Sequence, residues 1–447
     1  MDNDPAVCDS TRQDTDTRPT SRLPGYFRLT ISERVETLVA QGRLTEEDAE
    51  LLASEFAGLP LTTADNMIEN VIGVYGLPIG LGLNFVINDR DTIVPMVVEE
   101  PSIVAAVSHT ARLVRDAGGF RVDADPPIMI GQVQILDCPD PEVARETLLA
   151  HRDAILDLAN SLQPNMVARG GGAKEIEARV LGTNGASAVT MVVLHLLVDT
   201  CDAMGANLIN TMAEGVAPLV ERLTGGRVHL RILSNLADQR LVRARCDIPV
   251  ALLNWKGFPG SEVARGIAEA SLFAEVDPYR AATHNKGVMN GIDAVAIASG
   301  NDWRAIEAGA HAYCCRSGRY RPMSTWHLDE EEGVLRGRLE IPIQVGTVGG
   351  PIRLHPTLKV LYKVFGIDDA SELARIMGAV GLAQNLAALK ALATEGIQSG
   401  HMALHARTVA ATAGAEGDEI ERVAQQLIAE GDIKVQRARA ILASRNL

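Results

Sequence analysis

The stretch from Thr283 to Asp302 carries the side chains of this chain that are best suited to chemistry. It places Lys286, a histidine, asparagines and aspartates among small residues, where an ordinary core segment would carry bulky apolar side chains. A buried lysine partnered by a carboxylate has a readily shifted pKa and can take part in catalysis. A surface lysine in a glycine-rich turn is the simpler interpretation of Lys286 alone, but its polar surroundings favour the catalytic one. A single helix would hold Lys286 and Asp302 about 24 Å apart, so they meet only if the chain folds back.

Two further motifs lie where a helix is expected to begin. In Asp202-Ala-Met-Gly-Ala-Asn207 the glycine lets a phosphate approach backbone N–H groups, so this helix start can hold a nucleotide although the chain has no G-x-G-x-x-G sequence. Ordinary capping by Asp202 is the alternative. Glu99-Glu100-Pro101-Ser102 also opens a helix, and a carboxylate in such a place is usually a cap stabilised by the helix dipole.

A pair of histidines near the C-terminus, His401 and His405, has the one-turn spacing that can hold a metal ion. No acidic third ligand lies nearby in the sequence, so we expect no metal. A C-terminal helical lid that carries one working histidine suits the flanking glycines Gly396 and Gly400 better.

The composition indicates a globular protein with a large core. The chain has 447 residues, of which 47% are hydrophobic, and a formal net charge of -15, which argues against a nucleic-acid or anionic-membrane partner. Six cysteines include no C-x-x-C pair, so neither a zinc cluster nor a disulfide framework is expected. The N-terminus lacks the pattern of a signal peptide, and the apolar run from Ala188 to Val198 is too short to span a bilayer. We therefore expect a cytoplasmic protein.

The order of predicted elements indicates an α/β protein with an inserted small domain. Residues 1–24 are polar and predict a disordered tail. Capping boxes at Thr30 and Thr45 predict two helices after it. Residues 128–236 read as β-α-β-β-α-β, the ferredoxin-like unit, with one helix from Pro141 to Leu162. We expect a large domain over 25–126 and 237–394, a small domain over 127–236, and helices over 395–447.

Five motifs in order support a family resemblance. From about residue 27 onward the chain closely resembles class II 3-hydroxy-3-methylglutaryl-coenzyme A (HMG-CoA) reductase, on the motifs Glu69-Asn-Val-Ile-Gly73, Asp202-Ala-Met-Gly-Ala-Asn207, Thr283-His-Asn-Lys-Gly287, Gly300-Asn-Asp302 and Gly400-His401-Met. The resemblance implies a large α/β domain that binds the thioester, an inserted ferredoxin-like domain that binds NAD(H) or NADP(H), and a C-terminal helical flap. It also implies a homodimer with a shared active site, and it leaves open whether dimers assemble further.

The resemblance assigns four catalytic roles for the conversion of HMG-CoA to mevalonate and coenzyme A. Lys286 stabilises negative charge on the substrate oxygen, and Glu100 donates a proton, with Glu99 as the competing choice. Asp302 links the lysine and the glutamate by hydrogen bonds. His401 protonates the departing coenzyme A thiolate.

The resemblance also assigns binding residues. Substrate binding falls to Ser102, Arg280, Asn290, Glu69, Asn70 and Gly73. Cofactor binding falls to Asp202, Met204, Gly205, Asn207 and Gln163. Gln163 stands where NADH-using relatives can carry an acidic residue, and Arg169 follows; the missing carboxylate lifts a repulsion against a 2′-phosphate, so the choice between NADH and NADPH stays open. The physiological direction of the reaction stays open.

Two other classes of function fit parts of the sequence. A Schiff-base lyase would use Lys286 and need no nicotinamide. A non-catalytic small-molecule binding protein built on the ferredoxin-like unit would not explain why Lys286, Glu100, Asp302 and His401 occur together. Both are less favoured than the reductase.

Overall fold

The computed structural model describes residues 20–54, 58–182, 189–396 and 406–444. Helices and strands are mixed along these residues, so the predicted α/β class is confirmed. The helices are α1 (Ile31–Ala40), α2 (Glu46–Ala53), α3 (Leu61–Asp65), α4 (Ile103–Asp116), α5 (Pro141–Ala150), α6 (Arg152–Ser161), α7 (Pro164–Val167), α8 (Ala206–Thr224), α9 (Gly260–Val276), α10 (Pro278–Ala298), α11 (Trp303–Cys314), α12 (Gly350–Leu354), α13 (Pro356–Phe365), α14 (Ala370–Ala393), α15 (406–412), α16 (Asp418–Glu430) and α17 (Val435–Ala443). The strands are β1 (Ile79–Ile87), β2 (Arg90–Val97), β3 (Arg121–Ala124), β4 (Ile128–Leu136), β5 (Gly172–Gly182), β6 (Thr190–Asp199), β7 (Arg227–Ser234), β8 (Leu241–Pro249), β9 (Ser324–Asp329) and β10 (Val334–Pro342).

Residues 20–24 pack against the β1–β2 hairpin, whereas we expected a disordered tail through residue 24. Ser21 is fully buried; its backbone N–H donates to Asp91 at 2.7 Å and its hydroxyl donates to the Phe85 carbonyl at 3.2 Å. These bonds satisfy the buried polar groups of this short segment, so order begins by residue 20. Residues 1–19 lie outside the described part of the chain. The capping boxes predicted at Thr30 and Thr45 are present at the starts of α1 and α2.

The large domain is built around α10 and α14. These two helices pack on each other, and α4, α9, β2 and the antiparallel sheet β3-β8-β10-β9 surround them in one continuous apolar core. By length and composition α14 is apolar enough to cross a membrane, but most of it is buried inside the protein. Its hydrophobicity is therefore that of a core helix.

The small domain has its own core and its own sheet. Its strands follow the antiparallel order β5-β6-β4-β7, with α5, α6 and α8 packed on one another and on the sheet. This is the strand order of a ferredoxin-like unit. The single helix predicted from Pro141 to Leu162 is wrong: it is divided at His151, whose backbone conformation leaves the helical region and whose ring nitrogen bonds the Thr147 carbonyl.

The C-terminal helices form a third cluster. Apolar side chains of 406–442, including Val423, Leu427 and Ile441, are buried against one another. Residues 397–405, which include the predicted lid histidine His401 and its neighbour His405, lie outside the described residues.

Candidate active site

An ion pair between Lys286 and Glu100 joins two distant parts of the large domain. The Lys286 ammonium donates to Glu100 Oε2 at 2.7 Å, although 186 positions separate the residues. Lys286 lies on α10, and Glu100 lies in the turn that leads into α4. The lysine side chain is 60% exposed and the glutamate side chain 37% exposed, so the pair is open to a ligand. Glu99, the competing choice, is exposed and is not the partner in this ion pair.

The structure does not bring Asp302 to this pair within one chain. Asp302 follows α10 after a short turn and caps α11, where its carboxylate accepts the backbone N–H groups of Arg304 and Ala305 at 3.1 and 3.2 Å. The helix from Lys286 to its end at Ala298 rises about 18 Å. The chain therefore does not fold back, and the expected hydrogen bonds from Asp302 to Lys286 and Glu100 are absent from the described residues of one chain.

Three of the predicted substrate-binding residues lie on the elements that carry the pair. Asn290 is one helical turn beyond Lys286 on the same face of α10. Ser102 follows Glu100 by two residues and has a left-handed backbone, φ 75°, which is uncommon for a residue with a side chain. Arg280 lies in the first turn of α10, where burial lowers its guanidinium pKa from the usual value.

The other predicted substrate-binding residues, Glu69, Asn70 and Gly73, lie on a different segment of the chain. They belong to a segment before β1 without regular structure, in which Ile72 and Tyr75 are almost completely exposed. Asn70 has a left-handed backbone, φ 57°. In the described residues no hydrogen bond or ion pair joins Glu69 or Asn70 to the Lys286–Glu100 pair.

Four of the predicted cofactor residues, Asp202, Met204, Gly205 and Asn207, lie between β6 and the first turn of α8. This segment is here called the cofactor loop (residues 200–207). Gly205 caps α8 with φ 97°, and a Cβ atom at this position would lie 2.4 Å from the Thr200 side chain. No side chain of this left-handed cap bonds the first N–H groups of the 19-residue helix, and such helix starts can bind phosphate. Asn207 is exposed in this first turn, and Met204 is half-buried beside it.

Asp202 does not cap α8, although helix capping was the alternative interpretation of this residue. Its carboxylate accepts the backbone N–H of Ala370 at 3.0 Å, at the start of α14 in the large domain. The cap position is taken by Gly205 because only a left-handed residue turns the chain into α8 here. Asp202 therefore ties the cofactor loop to the large domain.

The loop that carries Gln163 approaches the cofactor loop. Gln163 is half-buried and precedes α7. The Cys201 thiol of the cofactor loop lies 3.8 Å from the Arg169 carbonyl oxygen. Lys174 donates to the carbonyls of Gly170 and Gly171 at 2.6 and 3.0 Å, which adds a fixed positive charge on this side.

Sequence reasoning missed one residue that the structure places between the cofactor loop and the segment joining β10 to α12. Arg240 is 4% exposed and donates to the carbonyl of Val345 at 2.5 Å, to the Thr200 hydroxyl at 3.4 Å and to the Ala203 carbonyl at 3.5 Å. Arginine at the start of a strand resembles many surface arginines, so no local signal would have distinguished it.

Comparison with known proteins finds relatives of one named family. The family model described as hydroxymethylglutaryl-coenzyme A reductase matches residues 30–406. A 3-hydroxy-3-methylglutaryl-coenzyme A reductase of Archaeoglobus fulgidus is 48% identical over 422 residues, 94% of each chain. A probable enzyme of the same name from Borreliella burgdorferi is 37% identical over 77% of each chain.

Solved structures give the same result. A reductase of this name from Streptococcus pneumoniae superposes with a TM-score of 0.79 at 42% identity, covering 94% of this chain and 99% of that one. A class II enzyme of that organism, bound to NADPH in open conformations, superposes with a TM-score of 0.78 at 44% identity, covering 83% of this chain and 99% of that one. Fold and comparisons together define an α/β oxidoreductase. The chain belongs to the hydroxymethylglutaryl-coenzyme A reductase family, so the predicted family is confirmed.

Proposed function

We propose that this protein interconverts HMG-CoA with mevalonate and coenzyme A through two hydride transfers from NADH or NADPH. The observation that carries the proposal is the exposed Lys286–Glu100 ion pair beside the left-handed Ser102. A lysine and a carboxyl group held together and open to a ligand offer what carbonyl reduction needs: a positive charge for the developing oxyanion and a group that can carry a proton to it.

The cofactor loop fits a nicotinamide dinucleotide. The bound cofactor would supply the hydride, and the first N–H groups of α8 would hold its diphosphate. Glycine is needed at this turn, since a Cβ at Gly205 would clash with the Thr200 side chain at 2.4 Å. Asp202, Met204 and Asn207 flank the same turn, and Gln163 approaches with its loop. Arg169 and Lys174 support acceptance of a 2′-phosphate, and the absence of a carboxylate at Gln163 removes a repulsion against it.

Within the proposed reaction Lys286 holds the substrate carbonyl oxygen and stabilises its negative charge as each hydride arrives. Glu100, 2.7 Å from the ammonium, passes a proton to the aldehyde oxygen in the second reduction. Asn290 and Ser102 bind substrate oxygens from the same two elements, and Arg280 binds the substrate carboxylate, for which a guanidinium is suited. His401 protonates the coenzyme A thiolate that leaves after the first reduction.

A homodimer would complete this site. Asp302 lies at the far end of α10 from Lys286, so its proposed role requires the Lys286 of a second copy. The segment that carries Glu69, Asn70 and Gly73 exposes Ile72, Val74 and Tyr75 in one chain, and such a run of exposed apolar side chains is typical of a protein interface. We propose that this segment lies between the two copies and contributes to substrate binding there.

We assign one role to each part of the chain that has its own apolar core. The ferredoxin-like unit, residues 127–236, would bind the cofactor, and the large domain over 25–126 and 237–394 would bind the thioester. Helices of 395–447 would form the flap that carries His401. The described cysteines are all unpaired thiols, which supports a reducing compartment such as the cytoplasm.

The direct test is the oxidation of NADH and NADPH by the purified protein with HMG-CoA, followed by the reverse reaction with mevalonate, coenzyme A and each oxidised cofactor. We expect turnover with at least one cofactor, and the ratio of the two kcat/KM values decides the cofactor. A folded dimer that turns over neither cofactor in either direction would reject the reductase. Trapping of a substrate on Lys286 by borohydride would then support the lyase.

A further inference from the structure

One short segment of the large domain, residues 345–347 between β10 and α12, touches both the cofactor loop and the turn that carries Asp302. Neither of these sites was expected to involve it. Gly346 contacts both sides, and Thr347 adds a hydrogen bond on the cofactor side.

On the Asp302 side, the Asn301 side chain holds both backbone groups of Gly346. The Gly346 N–H donates to Asn301 Oδ1 at 2.8 Å, and Asn301 Nδ2 donates to the Gly346 carbonyl at 3.0 Å. The Tyr362 hydroxyl lies 3.3 Å from the same carbonyl and 3.1 Å from the Ser299 carbonyl. The turn that precedes Asp302 is thus joined to Gly346 by two direct hydrogen bonds and bridged to it by the Tyr362 hydroxyl.

On the cofactor side, the backbone of Gly346 is packed directly against the cofactor loop. A Cβ atom at Gly346 would lie 2.6 Å from the Met204 nitrogen and 2.9 Å from the Asp202 carbonyl oxygen, and both are backbone atoms that cannot rotate away. The Thr347 N–H donates to that Asp202 carbonyl at 2.9 Å. A movement of Gly346 therefore moves the cofactor loop with it.

Arg240 closes the arrangement from inside the protein. Its guanidinium bonds the Val345 carbonyl on one side and Thr200 and Ala203 of the cofactor loop on the other. Burial lowers the pKa of this guanidinium to about 10, while Asp199 and Asp202 favour the charged form, so it stays protonated near neutral pH. A buried charged group that bonds two loops is costly to move, because each bond it loses leaves a desolvated charge unsatisfied.

We propose that Arg240, Asn301 and residues 345–347 form a strut that sets the position of the cofactor loop relative to Asp302. Arg240 and Asn301 are positioning residues in this proposal, since they act through Gly346 and Val345. The proposal rests on the proposed function, which assigns the cofactor loop to NAD(P)H and Asp302 to the reaction. Its distinctive consequence is that a change at Asn301, on the Asp302 side, weakens cofactor binding on the other side.

The test compares Asn301→Ala with a matched control, Asn88→Ala. Asn88 holds Val122 by the same two bonds, Nδ2 to the carbonyl at 2.8 Å and the backbone N–H to Oδ1 at 2.9 Å, but it lies in the β1–β2 turn away from both loops. The dissociation constants of NADH and NADPH are measured without substrate by titration calorimetry, together with the melting temperature and steady-state kinetics. We expect Asn301→Ala to weaken cofactor binding about 10-fold, the effect of losing roughly two hydrogen bonds to a positioned loop. We expect Asn88→Ala to bind both cofactors with wild-type affinity, even if its melting temperature changes.

Three further variants keep the test decisive. Tyr362→Phe removes one hydroxyl and keeps the ring, so it repeats the experiment with little risk to folding, and we expect a smaller loss of cofactor affinity in the same direction. Arg240→Met should raise the KM for the cofactor and lower kcat while the KM for HMG-CoA changes little; Arg240→Lys, which keeps the charge but not the planar fork, should recover only part of this loss.

Wild-type cofactor affinity in both Asn301→Ala and Tyr362→Phe would overturn the strut, and so would an equal loss in Asn88→Ala. These outcomes differ from a failure of the proposed function, in which the wild-type protein itself binds and turns over no nicotinamide cofactor.

Discussion

Mixed dimers of Lys286→Ala and Asp302→Ala test whether two copies build one active site. Each variant alone should be inactive, because Lys286→Ala lacks the charge that stabilises the oxyanion and Asp302→Ala lacks its carboxylate. About 18 Å of helix separates the two positions in one chain, whereas an ion pair needs its charged atoms within about 4 Å. If the two side chains work together, they therefore come from different copies.

The expected size of the effect follows from the symmetry of a two-fold dimer. Random exchange of equal amounts of the two variants makes about half of the dimers hybrids, and each hybrid has one site with both substitutions and one with neither. The mixture should then recover about a quarter of the wild-type specific activity. The assay is the consumption of NADPH or NADH with HMG-CoA, after subunit exchange or co-expression with two different tags.

The double variant Lys286→Ala/Asp302→Ala mixed with wild-type protein is the matched control. If the site is shared, every site of such a hybrid lacks one group, so only wild-type dimers work and about a quarter of the activity remains. If both residues act within one chain, each hybrid keeps one good site and about half remains. An inactive mixture of the single variants, with about half the activity in this control, would refute the shared site.

Three other predictions concern the cofactor loop, a buried carboxyl and the flap. Gly205→Ala should weaken cofactor binding about 10-fold in a direct titration, because a left-handed backbone costs an alanine roughly 1–2 kcal/mol and its Cβ would meet Thr200. Burial, together with a hydrogen bond to Glu307, raises the pKa of Asp293 to about 8; the unfolded chain releases this proton near about pH 4, so stability falls between these values as pH rises. Asp293→Asn should therefore exceed the wild-type melting temperature by more at pH 8 than at pH 4, and a gap independent of pH would contradict the assignment. His401→Gln should lose thioester reduction but keep most reduction of free mevaldehyde, since only the first releases a thiolate; equal loss of both rates would remove this role.

Some features of the protein depend on a few neighbouring residues, and these could be predicted from the sequence. The capping boxes at Thr30 and Thr45 are of this kind, since each is a pair of bonds between residues three positions apart. The predicted ferredoxin-like unit begins at residue 128, and so does its first strand, β4, because alternating side chains specify a strand locally. Gly205 was recognised for the same reason: a glycine at the start of a helix is a local signal.

Other features depend on how distant segments pack. Predictions from neighbouring residues alone were wrong for these features or did not include them. The sequence offered helix capping as the ordinary role of Asp202 and of the carboxylates before Pro101, yet Asp202 bonds Ala370 and Glu100 bonds Lys286. Asp302 does cap a helix, and its distance from Lys286 became clear only once α10 proved to be one unbroken helix.

By itself, the sequence determined the family, the α/β class and the residue types available for chemistry, because motifs and periodicity are properties of short segments. Only the tertiary structure decided which of these residues meet. It paired Lys286 with Glu100 across 186 positions and buried Arg240 between two loops. Such contacts depend on the packing of a whole core, and no short segment contains that information.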